Sequence, residues 1–169
     1  MNILPLTESL IDDLAYVYPE PWKEEPWNEF FTFEEVEEII RKAFERRGFM
    51  GFVSQNNERQ VVGFTWGYLM SSKSIADYAG WNNRVNFSGD VFYLAEIGVL
   101  KDFRGEGIGF QLSKKLSEKA TKPVILRTDS CAQSAISLYK KLGFTPLLSL
   151  SGKQITDVNH QSRLYWCLR

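Results

Sequence analysis

The sequence predicts a single α/β domain that spans residues 1–169. Three observations lead to this fold class. The chain has 169 residues, 44% of them hydrophobic, which suits one compact core. Segments with strand and helix periodicity alternate in the order βααβββαβαββ. There is also no internal repeat, and no linker indicates a second domain.

The first half of the chain is predicted to run strand, helix, helix, strand, strand. The apolar run "NILPL" predicts a strand, and apolar spacing in "TESLIDDLAYVY" predicts a helix with one buried face. The proline-rich stretch "PEPWKEEPWNEFF" predicts a loop. "TFEE" is typical of a capping box, so a second helix should begin at Thr32 and end near Arg47, before Gly48. "FMGFVSQ" and "QVVGFTWGYLM" flank the turn "NNER" and predict a β-hairpin.

The second half begins with a polar, unperiodic stretch from Ser71 to Asp90, which predicts a long loop of a kind that is usually functional or mobile. "VFYLAEIGVL" carries the strongest strand signal. After a glycine-rich segment, apolar residues recur at helical spacing from Ile108 to about Ala120. "PVILRTD" predicts a strand, and "AQSAISLYKKL" predicts a helix that ends at Gly143. "TPLLSLS" and "SRLYWCLR" predict the last two strands.

Composition excludes several classes of function. The formal net charge is −1, so we expect no basic surface and no nucleic-acid partner. No apolar stretch approaches the ~20 residues of a membrane helix, and the N-terminus lacks the pattern of a secretory signal. We therefore expect a soluble, cytoplasmic protein with no membrane partner. Cys131, Cys167 and the single histidine, His160, show no metal-binding spacing, so no metal site is expected.

The stretch "KDFRGEGIGF" places three glycines within five positions between a strand and a helix. Such a loop presents backbone N–H groups and a helix N-terminus to phosphate. A P-loop is excluded because Phe110 and Gln111 follow Gly109 where Lys and Ser or Thr are required. A dinucleotide fingerprint would need glycine or alanine at Phe110, although Asp129 does follow at ~20 residues. The dinucleotide alternative remains open at this point, as the weaker one.

Two segments carry a family resemblance, "AEIGVLKDFRGEGIG" and "SAISLYKKLGF". In the first, Arg104, Gly107 and Gly109 form the pattern R-x-x-G-x-G. From about Glu35 onward the sequence resembles the GNAT superfamily of acetyl-CoA-dependent N-acetyltransferases. The resemblance implies a GNAT fold, with a mixed, mostly antiparallel sheet of six to seven strands flanked by about four helices. It also implies an acyltransferase whose co-substrate is acetyl-CoA.

The resemblance assigns residues to the cofactor. Loop amides would hold the pyrophosphate of coenzyme A, and backbone groups of the preceding strand would pair with its pantetheine arm. The cofactor would lie where the strand ending at Val99 and the strand ending near Arg127 part. Family members often have an asparagine where this sequence has Ala132, and Ser130 or Gln133 could replace it. The residues so assigned are Ile97, Gly98, Val99, Arg104, Gly105, Glu106, Gly107, Ile108 and Gly109.

Two residues are candidates for the chemistry. The acceptor amine must be neutral to attack a thioester, and a free amine titrates near ~10, so a base is needed. Glu96 is the only carboxylate within "VFYLAEIGVL", and we predict that it is this base. Strand alternation places Glu96 and Tyr93 on opposite faces. Tyr139 matches the family tyrosine that protonates the departing thiolate. The alternatives are a structural ion pair for Glu96 and core packing for Tyr139.

The acceptor site of the family lies at the first two helices, their connecting loop and the segment before the main strand. Between Pro19 and Glu38 there are eight glutamates and one lysine, a negative field that favours a cationic amine. Aromatic residues would supply stacking or cation–π walls. The alternative is a solvated helix face with the tryptophans packed beneath it. The predicted acceptor residues are Trp22, Trp27, Trp66, Tyr68 and Trp81, with Tyr78 as a further aromatic wall.

The predicted reaction is acetyl transfer from acetyl-CoA to a primary amine, most simply a small cationic amine, by direct attack in a ternary complex. Two alternatives stay open: a protein or peptide N-acetyltransferase, and a non-catalytic acyl-CoA-binding sensor domain. The sequence does not determine the acceptor, the preferred acyl chain or the oligomeric state, and a homodimer is a possible assembly.

Overall fold

A computed structural model describes residues 1–80, 87 and 89–169. The strands are β1 Asn2–Pro5, β2 Met50–Gln55, β3 Val61–Ser71, β4 Asp90–Val99, β5 Val124–Asp129, β6 Thr145–Pro146 and β7 Arg163–Leu168. The α-helices are α1 Ile11–Val17, α2 Pro19–Trp22, α3 Phe33–Phe44, α4 Ser72–Ala79, α5 Ile108–Lys119 and α6 Gln133–Lys141. Within these described ranges, no helix is long and apolar enough to cross a membrane.

The seven strands form one mixed sheet in the order β1-β2-β3-β4-β5-β7-β6. Strands β1–β2, β2–β3, β5–β7 and β6–β7 pair antiparallel. Strands β4 and β5 pair in parallel, at Phe92–Leu94 against Val124–Leu126. The mixed, mostly antiparallel sheet predicted from the resemblance is therefore confirmed.

The chain forms two compact units, residues 1–68 with 95–119 and residues 69–94 with 120–169. In the first unit, an apolar core lies among α1, α3 and the strands. Its fully buried members include Leu14, Val36, Ile40, Phe64 and Trp66. In the second unit, buried apolar residues of β5 and β7 supply much of the core, among them Ile125, Leu126, Tyr165 and Trp166. The expectation of a single domain remains a prediction.

Two local motifs form as the sequence predicts. At the start of α3, the Thr32 hydroxyl accepts the Glu35 N–H at 3.2 Å, and the Glu35 carboxylate accepts the Thr32 N–H at 2.8 Å. In the β2–β3 hairpin, the Asn56 side-chain oxygen accepts the N–H of Glu58 at 3.0 Å and of Gln60 at 2.9 Å. Both motifs depend only on residues within a few positions of each other, which is why the sequence reveals them.

Three predicted elements are wrong in extent. The predicted loop from Ser71 contains α4, which begins because the Ser71 hydroxyl accepts the Ser74 N–H at 3.0 Å and ends at Gly80, where φ is +65°. Its buried face consists only of Ile75 and Ala79, too little to show as periodicity. The predicted loop after α1 contains the four-residue α2. The predicted strand "TPLLSLS" forms a strand only at Thr145–Pro146.

Candidate functional site

The glycine loop has a backbone that only glycine adopts easily. After a short 3-10 turn at Lys101–Phe103, Gly105 has φ +85° and Gly107 has φ +80°. These are left-handed values that other residues rarely take. A Cβ added at either glycine would meet nothing within 4 Å. The glycines thus shape the loop and leave open space in front of it.

The N-terminus of α5 follows directly. Its first helical hydrogen bond runs from the Gln111 N–H to the Gly107 carbonyl, at 3.0 Å. The N–H groups of Ile108, Gly109 and Phe110 therefore have no acceptor inside the helix. An open glycine loop followed by free helix N–H groups and the positive end of the helix dipole is suited to a phosphate group. The residues present thus fit the pyrophosphate of coenzyme A.

The Arg104 side chain is turned toward protein groups. Its Nη1 lies 2.7 Å from Oε2 of Glu24, and its Nε donates to the Val99 carbonyl at 3.0 Å. The Arg104 hydrogen bond is the main reason that the pKa of Glu24 lies below its usual value. Any contact of Arg104 with phosphate in this arrangement would come from its backbone.

Strand β4 contains an irregularity that alternation alone does not predict. Residues an even number of positions apart on a regular strand direct their backbone groups to the same neighbour. The Phe92 N–H donates to the Pro123 carbonyl at 2.9 Å, beside β5, whereas the Glu96 carbonyl accepts from Thr65 Oγ1 of β3 at 2.9 Å. Two residues of β4 an even number of positions apart therefore engage opposite neighbours. The expectation that Tyr93 and Glu96 face opposite sides remains a prediction.

Near its C-terminal end, β4 directs alternate backbone groups away from β3. The Leu100 N–H donates to the Val62 carbonyl of β3 at 2.9 Å, in agreement with the direction of Glu96. The N–H and carbonyl groups of Ile97 and Val99 therefore point to the other side. The Val99 carbonyl already accepts from Arg104 on that side. This is the backbone edge that the resemblance assigns to the pantetheine arm.

Gly98 has a packing role that the sequence did not show. A Cβ at this position would lie 2.5 Å from Cζ of Phe64 and 2.9 Å from Cγ of Pro21. Glycine is thus required because the Phe64 ring and α2 approach the strand closely. The cofactor role expected of Gly98 remains a prediction about its backbone.

Glu96 is half-buried, and by alternation it shares the strand face of Gly98. Tyr18, at the junction of α1 and α2, is only 4% exposed, and its ring stacks on Phe64 and Trp66 with centroid distances of 5.4 and 5.5 Å. Burial raises the pKa of Tyr18, and the negative charges of Glu96 and then Glu29 raise it further. Tyr18 therefore stays a neutral hydroxyl within the field of two carboxylates.

Sequence reasoning missed Tyr18. The only signal for it was the spacing of four residues from Leu14, which predicts core packing and nothing more.

The predicted aromatic walls separate into different environments. Trp22 and Trp27 pack edge to face at 5.5 Å. Trp66 is 1% exposed and lies in the core, so a direct role in the acceptor site is not supported by its position. The Arg46 guanidinium lies over the Tyr68 ring, 5.4 Å from its centre. Trp81 lies outside the described residues.

Half of the predicted acidic field is neutralised. Glu20 pairs with Lys23 at 2.6 Å, and Glu24 pairs with Arg104. On α3, two glutamates each pair with a basic residue one helical turn later. Glu37 pairs with Arg41 at 3.0 Å, and Glu38 pairs with Lys42 at 2.5 Å. The helix glutamates thus form the solvated face that was the alternative interpretation. The field between Pro19 and Glu38 is therefore weaker than the number of glutamates alone suggests.

The remaining candidates lie in the second unit. Tyr139 is 4% exposed, on the buried face of α6, with its ring 5.8 Å from that of Phe144. The α6 cap at Ala132 has no side-chain hydrogen bond. The Gln133 side chain donates to the Ser130 carbonyl at 2.9 Å, so in this arrangement its N–H donor is engaged within the chain.

Asp129, which the dinucleotide alternative requires, is also engaged. It accepts the Cys131 N–H at 2.9 Å and the Ser162 hydroxyl at 2.7 Å. Hydrogen bonding and the nearby Arg163 charge keep the pKa of Asp129 below its usual value although burial opposes this. The carboxylate serves the turn before α6, which weighs against a ribose-binding role. In the part of the chain that is described, no three His, Cys, Asp or Glu side chains form a group that could hold a metal ion.

Comparison with known proteins agrees with this geometry. Residues 7–144 match the family model described as the acetyltransferase (GNAT) family. No curated protein matches the sequence significantly.

Solved structures share the fold at low identity. A ribosomal-protein-alanine N-acetyltransferase from Brucella melitensis is 18% identical, with 99% of each chain covered and a TM-score of 0.68. An aminoglycoside antibiotic 6'-N-acetyltransferase from Acinetobacter baumannii is 18% identical, over 85% of this chain and 90% of that one, with a TM-score of 0.61. A spermidine N-acetyltransferase chimera from Vibrio cholerae and hSSAT is 14% identical, over 99% and 95%, with a TM-score of 0.63.

Proposed function

The chain belongs to the acetyltransferase (GNAT) family, and we propose that it transfers the acetyl group of acetyl-CoA to a small cationic primary amine. The observation that carries this proposal is the open glycine loop at the N-terminus of α5. Its left-handed glycines, the empty space before them and the free helix N–H groups together suit a pyrophosphate.

The cofactor would be held by backbone groups of the first unit. The amides of residues 104–109 would bind the pyrophosphate, and Ile97 and Val99 would pair with the pantetheine arm. The direction of the β4 backbone near Leu100 supports this assignment, because the Leu100 N–H donates to Val62 of β3 and by alternation Ile97 and Val99 face away from β3.

Glu96 would act as the general base. It would accept a proton from the acceptor ammonium, directly or through a water, so that the amine nitrogen can form a bond to the thioester carbonyl carbon. Its half-buried position and the effect of its negative charge on the buried Tyr18 hydroxyl support the assignment. The carbon–sulfur bond breaks in the same overall exchange, and the sulfur leaves as a thiolate.

Tyr139 would act as the general acid, giving its hydroxyl proton to that thiolate. The support is its place in "SAISLYKKLGF" and its burial on α6. The acylated nitrogen loses its second proton as the amide forms, and this proton passes to the Tyr139 oxygen, directly or through a water. Glu96 returns its proton to solvent after the products leave, which completes the balance.

The acceptor class is inferred from charge and aromatic character. Glu96 and Glu29 both act on the Tyr18 hydroxyl, so two carboxylates converge on one region of the first unit. Trp22 packs against Tyr18 at 5.9 Å and against Trp27, which extends an aromatic surface beside these charges. Carboxylates next to aromatic rings favour a cationic amine.

Thiol release from acetyl-CoA tests this proposal. The assay would include spermidine and other polyamines, aminoglycosides, amino acids and short peptides, with Glu96→Gln, Tyr139→Phe and the control Tyr16→Phe. Tyr16 is 73% exposed, so its hydroxyl should not matter. We expect one cationic amine class to stimulate release, and the two site variants to lose activity by roughly 100-fold or more. Stimulation by peptides alone would favour a peptide acetyltransferase. Binding of acetyl-CoA without any acceptor would favour a sensor.

A further inference from the structure

One guanidinium joins the two loops that the proposed reaction needs. Arg104 begins the glycine loop, and its Nη1 lies 2.7 Å from a carboxylate oxygen of Glu24, a residue 80 positions earlier in the chain. Its Nε donates at the same time to the Val99 carbonyl, at 3.0 Å. The side chain thus bridges the end of β4 and the segment that follows α2.

The segment that holds Glu24 is tied together internally. We call residues 22–29 the tryptophan turn. The Glu24 carbonyl accepts the N–H groups of Trp27 at 3.0 Å and Asn28 at 3.1 Å, and the Trp22 carbonyl accepts the Glu29 N–H at 2.8 Å. With the two indole rings packed at 5.5 Å, movement of Glu24 would move the whole turn.

Stability alone does not explain this ion pair. The side chains of Arg104 and Glu24 are 40% and 38% exposed, and an exposed pair contributes little to folding. Its particular feature is geometry, because the forked guanidinium engages a backbone carbonyl and a carboxylate together. A lysine offers one compact ammonium and would not match both directions.

We propose that Arg104 and Glu24 form a clasp that couples the tryptophan turn to the glycine loop, so that coenzyme A binding orders the turn for the acceptor amine. Both are positioning residues, and the inference rests on the proposed function. The backbone groups next to the clasp are the amides of the glycine loop and the backbone of Val99. The proposed function assigns both to the cofactor. Fixing them fixes Arg104, and Arg104 holds Glu24.

A competing role for Arg104 makes an opposite prediction. If its guanidinium left Glu24 to bind phosphate directly, Glu24 would compete with the cofactor. Removing the Glu24 charge would then strengthen coenzyme A binding. In the clasp, removing this charge loosens the turn and leaves coenzyme A binding unchanged or weaker by up to about fivefold, the factor typical of an exposed ion pair.

Hydrogen exchange with and without coenzyme A tests the clasp on the full chain. The variants are Glu24→Gln and Arg104→Gln, with Glu20→Gln as the matched control. Among the described residues, Glu20 forms a local ion pair with Lys23, so its variant removes one charge from the same region without removing a partner of Arg104. All three positions are at the surface, and thermal melts would verify that each variant is folded.

We expect coenzyme A to slow exchange at residues 22–29 and 105–110 in the natural sequence and in Glu20→Gln. In Glu24→Gln and Arg104→Gln, the factor by which coenzyme A slows hydrogen exchange at residues 22–29 should fall at least about twofold. A change of this size is expected when one exposed ion pair is lost. Protection of 105–110 without any effect at 22–29 in the natural sequence would overturn the clasp and leave the proposed function standing. Tighter coenzyme A binding in Glu24→Gln would overturn it too. Absence of coenzyme A binding in the natural sequence would overturn both proposals.

Discussion

Arg127 and Asp157 form a buried ion pair, with Nη1 and Oδ2 2.5 Å apart and Asp157 only 2% exposed. The same carboxylate accepts the Tyr165 hydroxyl at 3.2 Å and the N–H groups of Asn159 and His160 at 2.9 and 3.1 Å. The Arg127 guanidinium lies over the Tyr78 ring at 5.3 Å. One carboxylate therefore organises a loop, a strand and a tyrosine of the second unit.

Replacement of Asp157 by Ala should destabilise the protein strongly. Arg127, whose side chain is only 18% exposed, would lose its partner, and breaking a buried pair typically costs about 3–5 kcal/mol of unfolding free energy. Urea unfolding would measure the loss. Glu38→Gln, which breaks an exposed pair on α3, is the control and should change stability by less than about 1 kcal/mol. Equal small losses in both variants would contradict the assigned role of Asp157.

The Asp157 pair also predicts a dependence of stability on pH. Burial opposes ionisation, but the hydrogen bonds from Arg127 and the Asn159 N–H outweigh it and hold the pKa of Asp157 below its usual value. A carboxyl with a lowered pKa in the folded state stabilises the protein above its unfolded pKa, near ~3.9, and this contribution disappears as pH falls through the folded value. Unfolding free energy should therefore decline below about pH 4. The decline should be shallower in Asp157→Asn, and an unchanged slope would refute the assignment.

Gly107→Ala and Gly152→Ala should lower stability by similar amounts, whereas only Gly107→Ala should weaken coenzyme A binding. Gly107 and Gly152 share nearly the same left-handed backbone, with φ of +80° and +77°, and open space around both. Alanine at either position should cost about 1–2 kcal/mol through the backbone alone. Only Gly107→Ala should weaken coenzyme A binding, measured by calorimetric titration. An equal effect of Gly152→Ala on binding would argue against the glycine loop as the phosphate site.

Gly98→Ala should disturb packing and catalysis together. The added Cβ would lie 2.5 Å from the Phe64 ring, so the ring or the strand must move, at a cost of roughly 1–3 kcal/mol. Because Glu96 is two residues away on the same face, acetyl transfer should also fall. Combining Gly98→Ala with Phe64→Leu should recover part of the stability lost by the glycine change. Strict additivity of the two changes would show that the contact is unimportant.

Tyr18→Phe should lower activity without unfolding the protein. Phenylalanine keeps the stacking on Phe64 and Trp66 and removes only the hydroxyl near Glu96 and Glu29. We expect kcat to fall roughly three- to tenfold, the effect of about one hydrogen bond. We expect the effect to vanish in a Glu96→Gln background, because the proposed role of the hydroxyl is exerted on that carboxylate. Tyr16→Phe, two residues earlier and 73% exposed, serves as the control for steady-state kinetics.

Local features of this protein were predictable from the sequence. The capping box at Thr32, the hairpin at Asn56 and the glycine loop all depend on groups within about four residues of one another. The family resemblance came from two such short segments and correctly implied the mixed sheet. The extra helix α4 escaped because its buried face is only Ile75 and Ala79.

The sequence by itself determined the family, the order of the strands and of the helices α1, α3, α5 and α6, and the place of the glycine loop. Only the tertiary structure decided that Arg104 meets Glu24, that Tyr18 lies in the field of Glu96, and that Gly98 makes room for Phe64. Short-range hydrogen bonds and backbone conformation are encoded in neighbouring residues. Arg104 and Glu24 lie 80 positions apart, and only the packing of the whole chain brings them together. The sequence contains many chemically equivalent glutamates, so it does not indicate which one meets Arg104.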